Sequence, residues 1–410
     1  MRYVVIGASA AGINAAKTLR KLDDSSDIII ISRDDRIYSR CMLHLYIGKK
    51  RSLDGLSFIE GDFFEKNKID WIKNKSVLAV NEKSKTVTLD DGTVLPYDGL
   101  IIASGSSASI PPIKNLREAK FVYTLRNLDD AVNIDSKASS SESAVIIGGG
   151  LIGIDVASEL MDRGLKVTVV EMADTILSLQ LDARAAGIYT DIMRKKGAEI
   201  FTGATASEAI LDYDGSFKGI KLSDGKVING DMAVVAAGVR PNIDLIKNCG
   251  TIKVERGILV DNRCKTSDDS IYAAGDVLGR AGVWPLAVKQ GITAAYNLAG
   301  FDKILDDDFG LKNSMNFFGV PTVSLGNPNP PDDSYDIDIL EYENVYKKIV
   351  HKDGIICGAI LQGDISYAGV LTELIKNKIN IRSIPKNPLD IGFADFFHIN
   401  SQAKFEYSVK

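Results

Sequence analysis

Three glycines and one carboxylate carry the most specific chemical signal in this 410-residue chain. Gly148, Gly150 and Gly153 stand in the spacing G-x-G-x-x-G directly after the apolar run Ala144-Val145-Ile146-Ile147. The first glycine permits a tight turn, and the second lets the backbone approach a pyrophosphate. The third lets a helix lie close to the turn, with its N-terminus facing the anion. Glu171 follows eighteen residues after Gly153, at the end of a second apolar run, Val167 to Glu171. A carboxylate there accepts hydrogen bonds from a ribose 2′-hydroxyl and repels a 2′-phosphate. Met172-Ala173-Asp174 follows it, with neither arginine nor lysine, so the pattern predicts NADH rather than NADPH. Alone, a G-x-G-x-x-G is weak; the strand, turn, helix, strand context gives it weight.

A second loop near the N-terminus follows the same plan. Gly7-Ala8-Ser9-Ala10-Ala11-Gly12 keeps the first and third glycines but has serine in the middle position. Its following strand, Ile28 to Ser32, runs into Arg33, so the ribose carboxylate is displaced and falls on Asp34. The duplication extends further. Leu89-Asp90-Asp91-Gly92 leading to Ala103-Ser104-Gly105 aligns without gaps on Leu222-Ser223-Asp224-Gly225 leading to Ala236-Ala237-Gly238. Hairpins resemble one another in any protein, but here both matched pairs occur in the same order. Each Asp-Gly pair predicts a type I′ turn with positive φ at both central residues. Each hairpin feeds a buried strand, Leu100 to Ala103 and Ala233 to Ala236.

The elements that must position these loops are therefore βαβ units, used twice. After Gly300 the texture changes. Asp306-Asp307-Asp308 and Asn327 to Asp333 are loop signals. Strand-like runs cover Thr322 to Leu325, Val345 to His351 and Ile355 to Leu361, with an amphipathic helix from about Ser366 to Lys376. Composition sets limits on function. The net charge of -5 offers no basic excess for nucleic acid. No apolar run reaches the roughly 18 to 20 residues of a membrane span. The first residues enter a strand at once, which predicts no signal peptide and a cytoplasmic protein. Cys41, Cys249, Cys264 and Cys357 form no local CxxC or Cx4C pair, and three histidines show no metal-ligand spacing, so no metal is expected.

A third feature selects the first cofactor. Ile271-Tyr272-Ala273-Ala274 runs into Gly275-Asp276, and Lys289-Gln290-Gly291 follows in a helical stretch. With Ala103-Ser104-Gly105 and Gly238-Val239-Arg240-Pro241-Asn242, the chain resembles the FAD/NAD(P)H disulfide-reductase superfamily over its whole length. That resemblance implies FAD at the N-terminal loop, with Gly7, Ser9, Ala11, Gly12, Asp34 and Arg40 around it. It also places the Asp276 carboxylate on the flavin ribityl chain, and brings the helix carrying Lys289 and Gln290 to the isoalloxazine ring. It implies an α/β fold of two Rossmann-like domains, the NAD domain inserted in the FAD domain, plus a small C-terminal α+β domain. The expected boundaries are 1–110 and 239–305 for FAD, 111–238 for NAD, and 306–410 for a C-terminal interface domain that allows a homodimer. NADH would then pass a hydride to the flavin.

Tyr38 to Gly48 bears on where the electrons go next. Cys41, Leu43, Ile47 and Gly48 are similar to the single-cysteine segment of coenzyme A disulfide reductases and NADH oxidases. Tyr38, Arg40 and Leu43 are similar to the Y-x-R-x-x-L of the rubredoxin and nitrite reductase-like branch. A helix N-terminus and Arg40 would favour a Cys41 thiolate. Ala10, Arg40 and His44 depart from the cysteine branch, and a buried cysteine is often an inert filler. The leading expectation is a small electron carrier such as rubredoxin as acceptor. The alternatives are Cys41 chemistry on oxygen or a disulfide, and an NADH-binding subunit of a larger complex. Cys249, Cys264, Cys357 and His398 read as packing residues. His44, three residues from Cys41, could share a helix face and donate a proton but reads better as a polar residue near the flavin pocket rim, and Trp284 could line the flavin edge or close a core.

Overall fold

Apolar runs with no alternation are the mark of parallel strands buried on both faces, and the computed structural model places them so. It describes residues 1–280, 282–306 and 312–409. The chain forms two compact units. The first comprises Met1–Pro111, Thr124–Ser136 and Ala237–Gly310; the second comprises Pro112–Tyr123, Lys137–Ala236 and Leu311–Lys410. Asp307 and Asp308 of the expected acidic loop lie outside the described residues.

In the first unit a five-stranded sheet has the order Ile271–Ala273, Gly99–Ile102, Arg2–Ile6, Asp27–Ile31, Asp70–Ile72. All four pairings are parallel. The helix Ala10–Leu22 buries Ala10, Ala11, Ile13, Ala15, Ala16 and Leu19. Its small side chains let the helix Trp284–Leu298 come close. A Cβ on Gly291 would stand 2.2 Å from the Ala11 carbonyl oxygen, so only glycine fits at that crossing.

The second unit repeats the sheet. Its order is Glu199–Phe201, Lys166–Val170, Ser143–Ile147, Ala233–Val235, Val122–Thr124, with the helix Leu151–Asp162 after the central strand. Equivalent backbone bonds recur at the same length: Gly7 N–H to Ile31 and Gly148 N–H to Val170, both 2.8 Å. The two hairpins also match each other, but not as type I′ turns. Gly92 and Gly225 have φ of +85° and +91°, while the aspartates before them are not left-handed. Gly92 N–H bonds to Leu89 and Gly225 N–H to Leu222, giving a turn closed by a left-handed glycine. Asp91 and Asp224 accept from the second N–H onward, at Thr93 and Lys226, which favours that geometry over the mirror-image turn.

The C-terminal portion of the second unit is an antiparallel sheet ordered Lys312–Phe317, Val320–Gly326, Ile355–Gln362, Val345–Lys352, Asp336–Tyr342, with the helix Ala368–Lys376. Two of its strands, Lys312–Phe317 and Asp336–Tyr342, had no counterpart in the sequence reading. Lys348, 6% exposed, reaches Asp182 at 3.0 Å, and Tyr346 donates to the same carboxylate at 2.6 Å. Asp182 also caps the helix Ala183–Lys195 through Ala185 N–H. One carboxylate thus ties the C-terminal sheet to the nucleotide-binding fold of the same unit. No helix among the described residues is long and apolar enough to cross a membrane.

Candidate functional site

Open parallel sheets bind ligands beyond the carboxyl ends of their strands, where the strand order reverses. In the first unit that point lies between Arg2–Ile6 and Gly99–Ile102, and a cleft of about 1280 Å³, counting its open mouth, lies there. Its walls are the segments that follow four strands: Ile6–Ala11, Ile31–Asp34, Ala103–Ser106 and Ala274–Asp276. The cleft therefore gathers Gly7, Ser9, Ala11, Asp34, Arg40, Cys41, Ala103, Ser104, Gly105, Gly275 and Asp276.

The glycine loop is shaped for close approach. Gly7 has φ +106°, and a Cβ there would stand 2.2 Å from the Ala103 carbonyl oxygen. A Cβ on Gly12 would stand 1.8 Å from the Gly7 oxygen, so helix and turn touch through it. Ser9 is the N-cap of Ala10–Leu22 but makes no side-chain cap bond, and the first turn holds no acidic residue. The helix N-terminus thus keeps free N–H groups for an anion. Asp276 lies across the cleft, its Oδ2 accepting from Arg126 Nη2 at 2.6 Å and Ser106 Oγ at 3.0 Å. These features fit a dinucleotide with a pyrophosphate at the helix and a polyol at Asp276.

Some expected residues act from behind the cleft. Gln290 is 3% exposed and its side-chain oxygen accepts from Gly275 N–H at 2.9 Å, fixing the Gly275 turn. Lys289 is half-buried on the same helix and does not line the cleft. Gly12 packs helix to turn, and Gly238, with φ +90°, takes Ser109 N–H on its carbonyl. Asp34 is drawn into a local network. Its two carboxylate oxygens take Tyr38 O–H at 3.0 Å and Arg40 Nη2 at 2.7 Å. Burial pushes the Tyr38 phenol up to about 12, so it stays a donor. Arg40 also bonds the Arg126 carbonyl at 2.8 Å and Asn127 at 2.7 Å. Arg126 is the residue that the sequence reading missed, because it reaches the cleft from a segment with no motif of its own.

Cys41 lies in the 3₁₀ turn Arg40–Met42, ahead of the five-residue helix Leu43–Ile47, and is exposed in the cleft wall. Arg40 directs its guanidinium to Asp34 and Asn127. His44 is pushed down to about 4, first by burial and then by the Lys50 charge, so a neutral imidazole stands there at neutral pH. A proton donor is not what that position supplies. Trp284 lines the cleft and meets Phe58 edge-on at 4.9 Å. Cys249 and Cys264 are pushed up to about 12 by burial, and Cys249 and Cys357 donate to backbone carbonyls. His398 faces Glu406 at 3.8 Å in a small hairpin.

In the second unit Gly148 has φ +113°, and a Cβ on Gly153 would stand 1.9 Å from the Gly148 oxygen. Gly150 faces open space and caps Leu151–Asp162, whose first turn carries no acid. Glu171 accepts from Gly149 N–H at 2.5 Å and Ala173 N–H at 2.7 Å, which holds its carboxylate beside the turn. This arrangement fits a second dinucleotide.

The family described as Pyridine nucleotide-disulphide oxidoreductase matches residues 1–291, and the Rubredoxin NAD+ reductase C-terminal domain matches residues 312–379. The NADH-dependent phenylglyoxylate dehydrogenase subunit epsilon of Aromatoleum evansii is 28% identical over 408 residues, 95% of this chain and 96% of the relative. A nitrite reductase [NAD(P)H] of Bacillus subtilis is 29% identical over 94% of this chain, which spans only 48% of that relative. A crystal structure of NADH:rubredoxin oxidoreductase from Clostridium acetobutylicum superposes with a TM-score of 0.79 at 28% identity, covering 95% of this chain and 98% of the other.

Proposed function

We propose a function from one premise: this chain belongs to the pyridine nucleotide-disulphide oxidoreductase family. It is an oxidoreductase that uses FAD and NADH and delivers the electrons to a small carrier of the rubredoxin kind. The observation that carries this reading is the convergence of Gly7, Ser104, Gly105 and Asp276 on one cleft at the reversal of strand order. When bound, the flavin supplies a hydride acceptor and a store for two electrons. The chain's own residues hold and orient it. The N–H groups after Ser9 would face the pyrophosphate, Asp276 would accept from the ribityl hydroxyls, and Arg126 holds that carboxylate in place. In the second unit Gly150 would give the pyrophosphate of NADH its backbone approach, and Glu171 would take the ribose hydroxyls. Hydride transfer then depends on orientation more than on acid–base groups.

The acceptor is tested by stopped-flow mixing of NADH-reduced enzyme with rubredoxin. Reoxidation well above the rate with oxygen alone is expected; a rate at or below it ends the carrier reading. A second reading is a redox subunit of a larger complex, favoured by the near full-length match to a dehydrogenase subunit. It predicts fast NADH oxidation only when a partner subunit is added. A third makes Cys41, exposed in the cleft wall, a redox-active thiol. Dithionite titration decides it: if Cys41 rests as a sulfenic acid or mixed disulfide, which takes two electrons beyond the flavin's two, Cys41→Ser must lower uptake from about four per flavin to about two. Residues 312–379 and the edge strand Asp336–Tyr342 are also proposed as the seat of a homodimer, to be checked by light scattering.

A further inference from the structure

We infer that Asn242 is a positioning residue for hydride transfer, which rests on the NADH-to-flavin reading above. Two of the chain's passages out of the first unit run side by side as a ribbon. Ser106–Ala108 pairs antiparallel with Val239–Pro241, Val239 opposite Ala108 and Pro241 opposite Ser106. Each strand begins at a left-handed glycine, Gly105 at φ +69° and Gly238 at φ +90°. Glycine pivots resist bending least of all residues, so the ribbon's stiffness has to come from bonds across it.

Asn242 supplies most of those bonds. Its backbone N–H donates to Gly105 at 2.9 Å, and its backbone oxygen accepts from Ser104 Oγ at 2.9 Å. Its side-chain Nδ2 donates to the Ser104 carbonyl at 2.9 Å, and its Oδ1 accepts from Ser107 Oγ at 2.7 Å. Every hydrogen-bonding function of the residue but one amide N–H is thus spent on the opposite linker, 135 to 138 positions away in sequence. Asn242 also lines the flavin cleft. Next to this clasp, Ser106 donates to Asp276 and its carbonyl accepts from Arg126 Nε at 3.0 Å. The base of the ribbon is therefore fastened to the flavin seat on one side by Asp276 and on the other by Asn242. The clasp makes the two linkers leave the cleft wall as one piece and holds the wall at Ser104 and Gly105 in one shape. Reaction rates fall steeply with small misplacements of reacting groups, and the clasp acts on that geometry without touching the hydride.

The test compares wild type with Asn242→Ala, Asn242→Asp and Ser107→Ala. In flavin-free protein, hydrogen exchange of peptides covering 104–109 and 238–242 should quicken in Asn242→Ala while the core strand Arg2–Ile6 stays protected. In holoenzyme, the limiting rate of flavin reduction at saturating NADH should fall about tenfold or more, with flavin content kept and the NADH concentration at half-saturation unchanged. Asn242→Asp, which keeps the acceptor for Ser107 but loses the donor to Ser104, should fall between. Ser107→Ala removes a single bond and carries the test should Asn242→Ala not fold; it should lower the limiting rate two- to fivefold. Unchanged exchange, or an unchanged limiting rate per bound flavin in both Asn242→Ala and Ser107→Ala, overturns the proposal. Wild type that NADH does not reduce overturns the function reading instead, and the proposal with it.

Discussion

At the scale of single residues, Asp276 is the most exacting position. Its carboxylate is already hydrogen-bonded to Arg126 and Ser106 before any ligand is considered. Asp276→Asn removes the charge that both donors face, and hydrogen bonds to charged groups contribute about 1.5–3 kcal/mol. FAD binding to the apoprotein, followed by fluorescence titration, should weaken about 10- to 100-fold. Asp276 was legible because the apolar strand ending in Gly-Asp resembles a flavin-binding segment of the disulfide-reductase superfamily. Arg126 was not, because a lone arginine far from every motif gains meaning only when the chain folds back. Asp34 shows the reverse: its place after the second strand was readable, while its engagement by Tyr38 and Arg40 was not. His44 carries a pH prediction. Its folded pKa of about 4 lies below its ordinary 6.5, so the unfolded chain binds the extra proton between those values. The stabilisation is whole above pH 6.5 and is lost as pH falls toward 4. Between pH 7 and 4.5 wild type should lose about 2–3 kcal/mol that His44→Gln retains, measured by urea unfolding at both pH values.

At the scale of elements, the paired glycine turns are the device that the chain uses twice. A Cβ on Gly12 or Gly153 would stand only 1.8 Å or 1.9 Å from the first glycine's carbonyl oxygen, so neither has room for a side chain. Gly153→Ala should push the helix Leu151–Asp162 off its turn, raise the NADH concentration at half-saturation severalfold and leave flavin content intact. Gly12→Ala should cost flavin binding instead. Overpacking of this kind costs about 1–3 kcal/mol, visible in thermal unfolding. Equal damage to both cofactors from either change would contradict the separation. Continuous Ile and Val runs made the parallel strands readable. Asp336–Tyr342 escaped because its acids and exposed Ile337, Ile339 and Tyr342 give no buried face, and its turn at Glu343-Asn344 carries no glycine. The Asp-Gly hairpins were located correctly and mistyped, since the closing bond runs from Gly92 to Leu89 and from Gly225 to Leu222, which puts glycine after the central pair as the turn's left-handed residue.

At the scale of the whole molecule, the second unit depends on a buried ion pair. Lys348 is paired to Asp182, which also holds Tyr346 and a helix N-terminus. Removing one member of a buried pair strands the other, at about 3–5 kcal/mol. Lys348→Ala should therefore lower the unfolding midpoint of the second unit, read by the loss of NADH binding on heating, while flavin stays bound in the first. Replacing both Lys348 and Asp182 by apolar residues should recover much of the loss. A lysine in a strand gave no sign of this from sequence, because its partner lies 166 positions away.

The strand order of the first unit also has a consequence for biosynthesis. Ile271–Ala273 seals the edge of a sheet whose other strands are complete by residue 102, and it carries Gly275 and Asp276 at its end. At ribosomal speeds of about 5–20 residues per second, some ten seconds or more pass before that strand emerges. Throughout that interval Gly99–Ile102 is an unsealed apolar edge on a nascent chain, a site where chaperones would be expected to act. A flavin offered during translation finds no complete seat until the last strand arrives. Loading is therefore a late event, open only to chains that have been read past about two-thirds of their 410 residues.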